Sequence, residues 1–97
     1  MFVELPFEIS VKDVSDVCNG KVIVRDEKEK ENTFLYISSD TRQSVDGALF
    51  VAIKGKNFDG HDFLEEAQRK GAVAVLVSSE NKNLKIPQIL VENTREA

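Results

Sequence analysis

The chain has 97 residues, 17 acidic against 13 basic side chains, and a formal net charge of −4. That length fits one domain with a modest stability margin, and the acidic balance excludes a general nucleic-acid surface. No apolar run of about 18 residues is present to span a membrane, and residues 1–6 lack the basic flank of a secretion signal, so a cytoplasmic setting is expected.

Cys18 is the single cysteine, which excludes an internal disulfide. One cysteine and one histidine cannot supply the usual zinc ligand set. A buried, inert thiol is expected at Cys18, since no basic neighbour is in view to lower its pKa.

In chain order, the first clear element is a helix near 11–18. Ser10 can cap it, with Asp13 at the third position of the first turn. Val11, Val14, Val17 and Cys18 are read as one inward face, and Asn19-Gly20 as the stop. A short strand is expected over 21–25. The charged stretch 26–32 reads as a solvated hairpin connection into a second strand over 33–38, which makes this early pair antiparallel.

Asp40-Thr41-Arg42 follows, then a turn at Ser44-Val45-Asp46-Gly47. Residues 48–53 are apolar without alternation, as in a strand buried on both faces. After the polar loop 54–60, a helix is expected over 61–70, with Phe63, Leu64 and Ala67 inward and Gly71 terminating it. Strands are expected over 72–77 and 88–92. Asn93-Thr94 reads as the cap of a helix beginning at Arg95, which suggests a chain cut at a domain boundary.

The fold expected is α/β: a small mixed β-sheet with flanking helices. The unit over 48–77 should be parallel with a right-handed crossover.

Ligands of α/β sheets usually sit beyond the carboxyl ends of strands. Two loops there carry chemistry. One offers Asp40, Thr41 and Arg42; the other offers Lys54, Lys56, Asn57, Phe58 and Asp59. Cations, a hydroxyl and free N–H groups could converge on a phosphate-bearing ligand, and Phe58 could stack on a base. The same residues admit a plainer reading. Asp40 and Arg42 form a surface ion pair, the lysines solubilise a strand end, and Phe58 tucks into the core.

Lys54-Gly55-Lys56-Asn57 is not a Walker A loop. No glycine stands five positions before Gly55, and Asn57 replaces the magnesium-holding hydroxyl. His61 lacks a nucleophile motif or a second metal ligand beside it in sequence, and occupies the helix start. No catalytic residue and no metal ligand is assigned.

The ordered segments Asp40-Thr41-Arg42, Gly47 to Ile53, Gly55 to Phe63, and Ala67 with Gly71-Ala72 resemble the N-terminal domain of the Mur ligases. Between Asp40 and Ala72 they follow D-[ST]-R, G-x-L-F-V-A, G-x-x-x-D-G-H-x-F and A-x-x-x-G-A in that order, and the resemblance covers nearly the whole chain, including Pro87 and the last strand. The likeness is nearest to the ligase that adds D-alanyl-D-alanine, and next to the one that adds the third stem-peptide residue.

The resemblance implies that residues 1–97 are one domain that binds the UDP end of a UDP-MurNAc-peptide and is inactive alone. ATP and magnesium would belong to central and C-terminal domains outside it. Carried over by motif, Thr41 would contact the nucleotide or its phosphates, and Arg42 would support that loop. Lys56, Asn57 and Phe58 would surround uracil and ribose, while Asp59 would shape the loop. A different class also remains open: a non-enzymatic interaction module that binds a protein through an apolar patch.

Overall fold

The computed structural model describes residues 2–42 and 45–94. Six strands form one sheet in the order β1-β3-β4-β5-β6-β2. They are β1 (Phe2–Ser10), β2 (Lys21–Ile23), β3 (Thr33–Ser38), β4 (Ala48–Val51), β5 (Ala74–Val77) and β6 (Gln88–Leu90), with helices α1 (Val11–Cys18) and α2 (Leu64–Arg69). β3, β4, β5 and β6 run parallel, while β1 and β2 close the two edges antiparallel. The mixed sheet expected from sequence is present, and β4 and β5 are parallel across α2.

Helix α1 follows its local signals. Ser10 Oγ accepts from the Asp13 N–H at 3.1 Å, and the Asp13 carboxylate accepts from the Ser10 N–H, closing a capping box. Asn19 ends the helix in the left-handed region at φ 55. One expectation fails here: Val17 is 86% exposed. At about 100° per residue, Val11, Val14, Ser15 and Cys18 share a face and Val17 lies off it. Ser15 is buried there, its hydroxyl donating to the Gly20 carbonyl at 2.8 Å. Cys18 is half-buried against the core rather than fully enclosed.

The early strands do not form a hairpin. β3 pairs with β1 and β2 pairs with β6, so they lie on opposite sides of the sheet. The charged stretch folds into a 3-10 helix, Glu27–Glu31, capped by Asp26, and a helical segment cannot act as a tight two-strand turn. β1 itself was not expected. It carries Pro6 and a bulge, five steps along β1 answering two along β3 between Glu4 and Ile9. Both features suit an edge strand and erase strand periodicity.

Both sheet faces are covered. Phe50, Ala52, Val75 and Val77 pack under Leu64 and Ala67 of α2, with Val45 and Leu84 beside them. Leu49, Val51, Leu76 and Ile89 face the other way, against Val11 of α1 and Phe34. Burial on both sides explains the unbroken apolar runs of β4 and β5. The expected 61–70 helix is a 3-10 turn, Gly60–Phe63, leading into α2, and Gly71 follows at φ 98. Phe63, Leu64 and Ala67 do face the core. Ser44 of the expected turn and the helix expected from Arg95 lie outside the described residues. Among the described residues no helix is long and apolar enough to cross a membrane.

Gly60 fixes how closely the loop after β4 returns to its own strand. A Cβ there would lie 2.9 Å from Ala52 Cα and 2.8 Å from Ile53 N. Both are backbone atoms that cannot swing aside, so Gly60→Ala should destabilise the chain by about 1–3 kcal/mol in urea denaturation. Val17→Ser should stay within about 0.5 kcal/mol of the parent, as exposed positions do. Equal stability of the Gly60 variant and the parent would contradict this packing.

Candidate functional site

The loops after β3 and β4 leave the same, carboxyl, edge of the sheet, because those strands are parallel with Ser38 beside Phe50. The first loop is braced locally. Ser38 Oγ accepts from the Asp40 N–H at 3.3 Å, and the Asp40 carboxylate accepts from the Arg42 N–H at 2.9 Å. The Arg42 guanidinium also donates to Asp40, from Nε at 3.0 Å and from a terminal nitrogen at 2.8 Å. Arg42 is otherwise exposed. Thr41 is buried, and its carbonyl accepts from Lys70 Nζ at 2.6 Å.

The second loop is a narrow hairpin arm. The Gly60 N–H donates to the Ile53 carbonyl at 2.8 Å, Lys54 pairs with Asp59, and the Gly55 N–H donates to the Phe58 carbonyl at 2.5 Å. Lys56 and Asn57 are left at the tip, both exposed. Phe58 neither stands free nor enters the core. It is 48% exposed and stacks on Phe63 at 5.3 Å between ring centres, with planes 17° apart. The stacked pair presents a flat apolar wall.

Lys54, Lys56, Asn57, Phe58 and Asp59 line one cleft of about 400 Å3, joined by Asp62 and Phe63. Four of the six site residues expected from sequence thus share a cleft. Thr41 and Arg42 do not line it. Lys54 also borders a second cleft of about 300 Å3 with Ser78, Glu92, Asn93 and Thr94. Thr94 is buried and its hydroxyl donates to the Ala52 carbonyl at 2.9 Å. Sequence reading missed Phe63 as a ring partner and Ser78 as an edge residue. Ser78 had a usable signal, since it is the first position after a buried strand.

Two carboxylates are held low. Arg42, through its side chain and then its N–H, pulls Asp40 from an ordinary 3.8 to about 2. Asp59 is lowered first by the His61 N–H and then by the His61 ring, with smaller help from Lys54. Both therefore stay charged, and the cleft combines cations, an amide and carboxylates beside an aromatic wall. Such a surface can grip a planar polar ring and an attached anion. Among the described residues no group of three metal-ligating side chains is assembled.

A profile described as Mur ligase family, catalytic domain, matches residues 33–97. The chain belongs to the Mur ligase family. It is 36% identical over 90 residues to the UDP-N-acetylmuramoyl-tripeptide–D-alanyl-D-alanine ligase of Haemophilus influenzae, covering 93% of this chain and 19% of that protein. It is 46% identical over 61 residues to the UDP-N-acetylmuramoyl-L-alanyl-D-glutamate–2,6-diaminopimelate ligase of Aquifex aeolicus, covering 63% and 12%. MurF from Acinetobacter baumannii shares the fold, with a TM-score of 0.77 and 23% identity over 97% of this chain and 20% of that one. The chain thus spans about a fifth of the length of the relatives that cover it most fully.

A carboxyl with a lowered pKa adds stability that is fully present above its unfolded value and is lost as pH falls through the folded one. For Asp40 that window runs from 3.8 down to about 2. Following the Asp40 carboxyl carbon by NMR should give a midpoint of about 2 in the parent, and a return to the ordinary range in Arg42→Gln. An unchanged midpoint in the variant would remove Arg42 as the cause.

Proposed function

We propose that residues 1–97 form the N-terminal, substrate-anchoring domain of a ligase that joins D-alanyl-D-alanine to UDP-MurNAc-tripeptide. The observation that carries this is the cleft after β4, lined by Lys56, Asn57, Phe58 and Asp59, in a chain of this family. Uracil and ribose lie against Phe58 and Asn57, Lys56 faces the ribose side, and Asp59 holds the loop. Thr41 and Arg42 serve the nucleotide phosphates from the neighbouring loop, Arg42 once it exchanges Asp40 for the ligand.

None of these groups makes or breaks a bond. They bind one end of a long substrate so that its reacting end is oriented elsewhere, which is uniform binding plus positioning. A relative, MurF from Thermotoga maritima, 38% identical over 62% of this chain, was crystallised with ADP. The residues here do not fit ATP, because Lys56 is followed by Asn57 and no metal cluster forms among the described residues. On this reading ATP and magnesium are bound by the central and C-terminal domains of the parent enzyme, a cytoplasmic ligase.

The choice of dipeptide ligase rests on coverage. Two relatives of that name, from Haemophilus influenzae and Escherichia coli, align over more than nine-tenths of the chain. The diaminopimelate-adding relative is more identical but aligns over 61 residues only. It keeps the third-residue ligase as the second reading. An interaction module would draw on an apolar groove of about 470 Å3 between Phe7, Ile9, Val14 and Val17, away from both loops. A stable dimer in sedimentation, lost in Phe7→Ser, would favour that reading instead.

The test is an NMR titration of the 97-residue chain with UDP-N-acetylmuramic acid. An isolated, one-walled site should bind near 1 mM, about −4 kcal/mol. Shifts should centre on residues 54–59 and reach 40–42, and Phe58→Ala should weaken binding several-fold. No shifts in either loop at several millimolar ligand would overturn the proposal.

A further inference from the structure

His61, the chain's single histidine, ties the arm after β4 to the end of β5. Its Nδ1 lies 2.7 Å from Asp59 Oδ1. On the other side of the ring, the Ser78 N–H donates to Nε2 at 3.1 Å, and Ser78 Oγ stands at 3.3 Å. A nitrogen that accepts must carry its lone pair, so the ring proton sits on Nδ1 and is donated to Asp59. The same carboxylate oxygen accepts the His61 N–H at 3.0 Å. The ring is mostly enclosed, its side chain 13% exposed.

Serine, histidine and aspartate in this order have the layout of a nucleophilic triad, but the geometry argues for another role. Nε2 has one lone pair, and the nearer Ser78 N–H occupies it. The ring is therefore not free to take a proton from Ser78 Oγ.

We infer that His61 is a positioning residue that holds the Lys56-Asn57-Phe58 arm in one geometry by bridging Asp59 to the Ser78 backbone. This rests on the reading of the adjoining cleft as the nucleotide anchor. Asp59 lines that cleft and pairs with Lys54 across the arm, so whatever fixes Asp59 fixes the base of the arm. Backbone bonds close the arm on itself at Gly55 and Gly60 and tie Ala52, just before it, to Leu76 of β5, and the His61 ring adds a separate tie from Asp59 to the backbone that follows β5. A group held in place by packing and by partners on both sides loses less freedom when ligand binds.

The experiment uses UDP as probe and three chains: parent, His61→Ala and His61→Gln. Glutamine offers an oxygen that can accept from the Ser78 N–H. In the parent, ring nitrogen shifts should place the proton on Nδ1, and the Ser78 amide should exchange slowly. His61→Ala should raise the Kd for UDP about tenfold, with faster motion of the Lys56, Asn57 and Phe58 amides. His61→Gln should restore Ser78 protection and most of the affinity.

Parent-like affinity together with parent-like arm motion in a folded His61→Ala would overturn the inference. So would a parent ring protonated on Nε2 alone. If the parent itself does not bind UDP, the nucleotide reading fails, and the ligand-free tautomer and arm motion still decide the role of His61. If His61→Ala does not fold, the parent tautomer and the His61→Gln comparison decide it.

Discussion

The Asp59 carboxylate is the point on which both the fold of the carboxyl edge and the shape of its cleft depend. It accepts the His61 N–H that starts the turn into α2, and it holds the His61 ring. Its backbone pairs with Lys54 to close the arm that carries Lys56 and Asn57. The next residue, Gly60, lets that arm lie directly on Ala52 of the β4 edge. The donors around Asp59, first the His61 N–H and then the His61 ring, lower its pKa and so favour the ionised carboxylate. The D-G-H sequence thus reads as one device: an acceptor, a residue without a Cβ, and a ring with two usable nitrogens.

How much of this was legible in the sequence depended on how local the physics was. The α1 cap, its stop at Asn19 and the buried β4 and β5 were readable because each is decided within a few residues. β1 was not, since Pro6 and the bulge remove its alternation and its partner β3 lies across α1 and β2. The pairing of β2 with β6 was equally hidden, because the paired Ile23 and Gln88 lie 65 positions apart in the chain and local charge pointed to a hairpin. Val17 misled because a short helix leaves little periodicity to separate an inward valine from an outward one.

The site divides in the same way. Lys56, Asn57, Phe58 and Asp59 are contiguous, so a single loop places them together. Arg42 has a carboxylate two residues away, and the local ion pair forms. The plainer reading of Asp40 and Arg42 therefore describes the structure, while the proposed nucleotide role asks Arg42 to change partner. His61 was underread because its second partner, Ser78, lies 17 residues away, just after β5. Family resemblance supplied what residue types alone left open, and the chain spans about a fifth of the length of the relatives that cover it most fully.

The central claim is that the arm after β4 receives the base of a uridine nucleotide. Intermolecular NOEs from the uracil H5 and H6 protons of bound UDP measure this directly. The account predicts contacts to the Phe58 ring and the Asn57 side-chain amide. Contacts to Phe7 and Val17 in the α1 groove, with none to the arm, would contradict it.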